Sequence, residues 1–426
     1  MRWTSALSTR ASLEAAVDDV VEQAQGSLSA DPDLGFVFIS SAFASEYPRL
    51  MPLLAERLSV PTIIGSSGGG IIGTAGQAES QEIEGNVALS LALAELPDVT
   101  VTPFRIVSTK LPDLDGPPER WIDLVGVSPE VRPCFVLLAD PISGMMNDLL
   151  QGLDYAYPNA TKVGGLASTG AGGQQGALFY QGAALQGGAI GVALTGNIAL
   201  DAIVAQGCRP IGPIYQVVEG DRNVILKVQE TSSDAEPEPP LKALQALADD
   251  LTPEERELAQ QALFIGVAQS EFKQVLEQGD FLIRNLMGVD PRGGALAIGD
   301  RVRPGMRIQF HLRDAKTSAD DLEALLHQYH QTQQIDDGSP EALQTLMRQY
   351  GQKQNGPSSA GALLFSCLGR GENLYRKPNF DSQMFNHYVQ GTPLSGFFCN
   401  GEIGPVGQTT FVHGYTSVFG ILRQPD

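Results

Sequence analysis

Short, continuously apolar runs punctuated by glycine recur along the chain. FVFIS, from Phe36, suits a strand buried on both faces. SSAFASEYPRLMPLLAERL follows with apolar residues at helical spacing from Leu50 to Leu58. PTIIG then predicts a second strand ending at Gly65, and EGNVALSLAL a third entered through Gly85. The order returns as CFVLLAD, NDLLQGLDYAYP, TKVGG ending at Gly164, and QGGAIGVAL entered through Gly187. Phe36 to Gly65 and Phe135 to Gly164 both span 29 residues, and shared offset with shared element order is the mark of an internal repeat. GALLFSC, FDSQMFNHYV, LSGFF and HGYTSVFGIL make a third copy, with Gly396 in the place of Gly65 and Gly164. In each copy a glycine recurs eight positions on, at Gly73, Gly172 and Gly404. A fourth copy is read from LFIGVA, FLIRNLMGVD and RPGMRIQFHL.

Strand–helix–strand order predicts a parallel pair with a crossover, and the later glycine-entered strand adds antiparallel pairing. The expected fold class is therefore α/β (α+β) with mixed sheets. Two lobes are expected, each built from two related strand–helix–strand–loop–strand units. The boundary is placed in the acidic, proline-rich stretch 229–247, which cannot form a core, giving domains 1–228 and 248–426. Thr252, Pro253 and Glu255 carry the pattern of a capped helix start. The polar segment 318–356 reads as helices lying outside the core.

Composition narrows the function classes. The formal net charge is −21, which repels phosphate backbones and anionic membranes, and no Lys/Arg cluster is interleaved with aromatics. Nucleic acid is excluded as the expected partner. The start, MRWTSALSTRASLEAAVDDVVEQA, has no apolar run of the kind an export signal needs, and no window reaches the length of a membrane span. The cysteines Cys134, Cys208, Cys367 and Cys399 are far apart and show no C-x-x-C spacing, so reduced thiols in the cytoplasm are expected.

Candidate chemistry concentrates at strand ends. GSSGGGIIG, with Gly68 and Gly69, could cradle an anion, but it lacks the G-K-[ST] ending of a nucleotide loop and leads into strand rather than helix. Cys367 and Cys399 each follow a predicted strand. Each is either a nucleophilic or redox thiol, or a small buried residue. FSCLGRG projects Arg370 outside a strand end, where ligands bind in α/β sheets. GFFCNGEIGP adds Asn400 and Glu402. Arg370 and Glu402 either grip a ligand bearing both a carboxylate and an amine, or bridge each other as structure. RNLMGVD places Arg284 and Asn285 at the end of an apolar run, and QGCRPIGP carries Cys208 and Arg209; either lines a cleft or forms a rigid turn. His311, His327, His330, His387 and His413 show no metal-ligand spacing, so no metal and no cofactor are expected.

GSSGGGIIG and QGCRPIGP in the first half, and RNLMGVDPRGGALAIGDRVRPGMRIQFHLRDA, GALLFSCLGRG, GFFCNGEIGP and HGYTS in the second, together resemble the FIST family, the F-box and intracellular signal transduction proteins. The resemblance covers roughly Phe36 to Leu422. It implies N- and C-terminal FIST domains and a sensory module binding small ligands such as amino acids, with output passed through a protein partner or a change of shape. Three functions stand side by side. The first is a cytoplasmic ligand sensor using Arg370, Glu402 and the glycine loops. The second is an interaction scaffold docking through 318–356, and the third a cysteine-dependent acyl-transfer enzyme using Cys399 or Cys367.

Overall fold

The computed structural model describes residues 1–75, 79–169, 176–232, 235–269, 273–336 and 360–425. The chain forms two compact units, Met1–Ala205 with Leu322–Asp426, and Gln206–Asp321. Among the described residues no helix is long and apolar enough to cross a membrane.

The first unit holds three mixed six-stranded sheets of one pattern. The first runs Arg2–Ser8, Leu89–Glu95, Leu34–Ser40, Thr62–Gly68, Leu178–Tyr180, Ala183–Leu185. The second runs Val99–Ile106, Ala189–Gly196, Cys134–Ala139, Lys162–Leu166, Glu402–Val406, Thr409–His413. The third runs Ala199–Ala205, Ser417–Arg423, Gly361–Cys367, Leu394–Cys399, Gly70–Thr74, Ser80–Glu84. In each, the two central strands are parallel and every other pairing is antiparallel. The closing hairpin of every sheet comes from a different copy, so the copies exchange hairpins in a cycle.

The apolar runs are continuous because both faces of the central strands are covered. Phe36 and Phe38, Val136 and Leu138, and Leu363 and Phe365 point inward to one shared core, in which Phe38 stacks on Phe397 at 5.1 Å between ring centres. The alternate residues pack outward on helices: Val37 and Ile39 against Leu50 and Leu54, Phe135 and Leu137 against Leu149 and Leu153, Ala362 and Leu364 against Phe385. Helix Leu13–Gln25 buries Leu13, Ala16, Val17, Val20, Val21 and Ala24, a stripe at helical spacing, behind the N-cap Ser12.

The glycine common to the copies is explained by close backbone approach. A Cβ on Gly65, Gly164 or Gly396 would lie 2.1, 1.8 or 1.9 Å from the carbonyl oxygen of its parallel partner, Val37, Leu137 or Leu364. No side chain fits there. Gly73 and Gly404 lie within the first strands of the exchanged hairpins, and Gly172 lies outside the described residues.

The second unit is a closed antiparallel barrel of Arg209–Asp221, Val224–Glu230, Leu296–Ile298, Phe281–Val289, Leu263–Ala268 and Arg307–Leu312. Thr252 and Glu255 form the expected capping box at the start of Pro253–Ala262. The acidic stretch 229–247 lies inside this unit.

The mixed-sheet α/β class and the two-lobe layout agree with the sequence reading, but the related units are distributed differently. Leu263–Ala268 and Phe281–Val289 pair antiparallel, so the fourth copy is not a strand–helix–strand unit but part of the barrel wall. Three copies build the first unit, and the barrel segment is inserted after the first strand of the third. The polar segment 318–356 is also corrected for its helical part. In helix Ala315–Asp336, Leu322 and Leu326 are fully buried with Phe385 and Phe419. Residues 337–356 lie outside the described residues.

Candidate functional site

The ends of the parallel strands from all three copies meet and are tied loop to loop. Ser67 Oγ donates to the carbonyl of Ser168 at 3.1 Å, and Ser168 N–H donates back to the Ser67 carbonyl at 3.2 Å. Gly69 N–H donates to Ser168 Oγ at 2.9 Å, and that hydroxyl donates to the Phe398 carbonyl. Asn400 N–H donates to Leu166 at 3.1 Å, Leu166 N–H to Gly401 at 2.8 Å, and Leu368 N–H to Cys399 at 3.1 Å. Gly68 and Gly69 permit the packing: a Cβ on Gly68 would lie 2.8 Å from Phe397 Cβ, and one on Gly69 2.5 Å from Leu368 Cδ2. Gly69, Thr169, Cys367, Leu368 and Gly369 are part-exposed at this cluster, and Asn400 is exposed.

Arg370 is fully buried and holds Asp381 with both arms of its fork, Nε to Oδ2 at 2.9 Å and Nη2 to Oδ1 at 3.0 Å. Tyr375 accepts a further bond from Nη2, and the hydroxyls of Ser366 and Ser417 donate to Asp381 Oδ2. Burial alone would lower the pKa of the guanidinium, but Asp381 and Tyr375 more than reverse this, and it stays charged. Burial likewise pushes the Asp381 carboxyl up, and Arg370 pulls it below the usual range. The ion-pair partner of Arg370 is therefore Asp381, which corrects the expectation that Arg370 and Glu402 bridge each other as structure. Glu402 is fully buried, accepts Thr416 N–H at 3.2 Å, and sits between Gly165 and His413 of the neighbouring strands.

Two acids of Ser80–Glu84, the second strand of an exchanged hairpin, border the same region. Glu82 is buried; Oε1 accepts Ser382 N–H at 2.6 Å while Oε2 has no hydrogen-bond partner. Burial and the nearby Asp381 raise its carboxyl to about 8. Glu84 is half-buried and accepts Glu372 N–H at 2.8 Å, and burial raises its carboxyl as well. A Cβ on Gly371 would lie 2.3 Å from Glu84 Oε1, and one on Gly70 3.3 Å from its Cγ, so Glu84 reaches the loop cluster.

Cys399 is fully buried, and burial, with Glu402 and Cys367, raises its thiol well above the ordinary range. Such a thiol is a poor nucleophile at neutral pH, which weighs against acyl transfer through Cys399. Arg284 and Asn285 lie in the barrel wall of the second unit. Arg284 Nε pairs with Asp300 at 2.9 Å, and the Asn285 carbonyl accepts Gly299 N–H at 2.9 Å. That unit carries a hollow of about 430 Å³ whose lining includes Arg222, Asn223, Met287, Ile298 and Arg301. Buried His311 is pushed down to about 4 by desolvation. Among the described residues no cluster of His, Cys, Asp and Glu could hold a metal ion.

Sequence reasoning missed Ser67, Ser168, Glu82 and Asp381. Ser67 stands beside Gly68, Ser168 lies in the loop between Gly164 and Gly172, and Asp381 opens the helix read from FDSQMFNHYV, so position alone could have flagged these three. No local pattern marks Glu82.

The family model of the FIST N domain matches residues 33–230, and that of the FIST C domain matches residues 243–405. The uncharacterized protein Rv0628c of Mycobacterium tuberculosis (strain ATCC 25618 / H37Rv) is 31% identical over 97% of this chain and 96% of its own. The uncharacterized protein Mb0898c of Mycobacterium bovis is 32% identical over 68% of each. A crystal structure of a chorismatase aligns over 99% of this chain and 98% of its own at 8% identity, with a TM-score of 0.31.

Proposed function

The chain belongs to the FIST family, and on that premise we propose that it is a sensory protein whose ligand is an amino acid or a related small carboxylate, bound at the strand-end cluster of the first unit. FIST domains are associated with signal transduction and small-ligand sensing. The observation that carries the placement is the meeting of loops from three copies at one spot, tied by Ser67, Ser168 and the Asn400 and Leu368 amides. A site assembled from several strand ends is the usual location for ligands in α/β sheets. The cluster offers the side-chain amide of exposed Asn400 as a donor for a carboxylate, and Glu84 for an ammonium group. Arg370 acts from beneath, fixing the Gly369–Gly371 turn through Asp381 rather than touching the ligand.

A ligand that binds only the native state raises its unfolding midpoint. Thermal-shift screening of the wild-type chain against the standard amino acids and small organic acids is expected to give a midpoint rise that Glu84→Gln and Asn400→Asp diminish. No rise at millimolar concentration with any of them, or an equal rise in both variants, would overturn the assignment. Output passes to a protein partner from this cluster.

A further inference from the structure

The two cysteines of the third copy are neighbours. Strands Gly361–Cys367 and Leu394–Cys399 run parallel and in register, ending with Cys367 opposite Cys399. In-register residues of adjacent parallel strands share a face of the sheet and lie one strand spacing apart, about 4.8 Å. That separation falls within the roughly 4.4–6.8 Å between Cα atoms that disulfides span. The shared face is confirmed by packing: Leu363, Phe365, Phe397 and Cys399 belong to one cluster, and alternation puts Cys367 on the side of Leu363 and Phe365. Exposure is unequal, since Cys399 is fully buried while Cys367 is part-exposed at the loop cluster. Gly369 N–H donates to Cys367 Sγ at 3.5 Å, and the Arg370 charge interacts with the same thiol. The fold does not require sulfur here. The equivalent register pair in the first copy is Ser40 with Gly68, and in the second Asp140 and Ala167 stand one step beyond Ala139 and Leu166.

We propose that Cys367 and Cys399 form a peroxide-responsive dithiol, with Cys367 the thiol oxidised first and Cys399 the resolving thiol. The Cys367 thiolate attacks a peroxide oxygen; the S–O bond forms, the O–O bond breaks, and the leaving oxygen takes a proton to become water or an alcohol. Cys399 sulfur then attacks the Cys367 sulfur. The S–S bond forms, the S–O bond breaks, and water leaves with the proton of Cys399. Two thiols lose two electrons and the peroxide gains them. The bond joins the turns Leu368–Gly371 and Asn400–Glu402, so oxidation constrains the loop cluster directly. Because the buried Cys399 thiol must ionise to resolve the sulfenic acid, the second step accelerates as pH rises.

The test is intact-mass and peptide mapping of the reduced full chain after hydrogen peroxide. The wild type is expected to lose two hydrogens, to yield a Cys367–Cys399 cross-linked peptide, and to regain its mass with dithiothreitol. Cys399→Ser should trap Cys367 as a dimedone-reactive sulfenic acid, and Cys367→Ser should leave Cys399 unoxidised. Should Cys399→Ser not fold, Cys399→Ala serves the same purpose. A cross-link through Cys134 or Cys208, a sulfinic acid at Cys367 without any cross-link, or no oxidation of the folded wild type would each overturn the proposal.

Discussion

Replacing Asp381 with alanine separates a structural Arg370 from a ligand-gripping one. The carboxylate carries both arms of the Arg370 fork, at 2.9 and 3.0 Å, and accepts two serine hydroxyls, and both side chains of the ion pair are wholly buried. Its loss leaves a guanidinium in the interior with Tyr375 as its remaining partner of the pair's network, while Ser366 and Ser417, 3.3 Å apart, can bond each other. Removing one member of a buried pair costs about 3–5 kcal/mol, because the survivor is an uncompensated charge. For a unit of roughly 300 residues, unfolding entropy near 2.1 cal/mol/K per residue converts that to a fall of about 5–8 °C in its midpoint. Urea and thermal unfolding of Asp381→Ala, of Arg370→Met and of Arg370→Met with Asp381→Leu measure it. Both single variants should lose stability on this scale, and the double variant should recover most of it, since apolar replacement of a whole buried pair is often neutral. A loss below about 1 kcal/mol in Asp381→Ala, or a double variant no better than the singles, would refute the assignment of Arg370 to the fold. So would an Arg370→Met chain of unchanged stability that no longer responds to the ligand.

The Glu82 carboxyl, raised from 4.5 to about 8, binds its proton more tightly in the native state than in the unfolded one. Its contribution to stability is therefore intact below about 4.5, falls as pH rises toward about 8, and levels off above, by a few kcal/mol in all. Glu82→Gln should flatten that part of the profile in urea unfolding at successive pH values; parallel profiles would disprove it. Gly165→Ala places a Cβ 2.3 Å from Cys399 Sγ and should cost about 1–3 kcal/mol by overpacking, relieved in part by Cys399→Ala; an additive double variant would contradict the contact. Ser168→Ala removes the acceptor of Gly69 N–H and the donor to the Phe398 carbonyl, for about 1–3 kcal/mol, and amide exchange at Gly69 should quicken; unchanged exchange there would count against the stitched loops.

The repeat was legible because two periodic constraints coincide in it. Strands covered on both faces read as unbroken apolar runs, and the glycine at each close approach can be nothing larger. The first strand of each copy, RWTSALS, VTVTPFRI and ALDAIVA, carries polar residues among the apolar and lies at or next to a sheet edge, so it gave no such run. LFIGVA misled for the opposite reason. It is as apolar as a central strand, but the following stretch to Phe281 lacks helical periodicity and returns the chain antiparallel. Hairpin exchange left no trace, because a hairpin has the same alternation whichever sheet it completes. At the site, charge alone suggested Glu402 for Arg370. The acid that folding brings to it, Asp381, lies in the first turn of the next long helix, and Glu82 arrives from another copy.

The exchange makes the copies interdependent, and that bears on where specificity arises. Each sheet is completed by a neighbour, so a change in one copy must be accommodated by the residue it meets in another. Cys399 shows this: its equivalents are Gly68 and Ala167, and the added sulfur is accommodated by Gly165 of the second copy, whose own equivalents are Ser66 and Phe397. The Arg370–Asp381 hub shows it again, since the hairpin packed beside it, with Glu82 and Glu84, belongs to the first copy. These two departures from the common pattern are therefore matched across copies, and both border the strand-end cluster. Both examples fall at the third copy's strand ends, where Cys399 meets Gly165 and Ser382 meets Glu82 across copies.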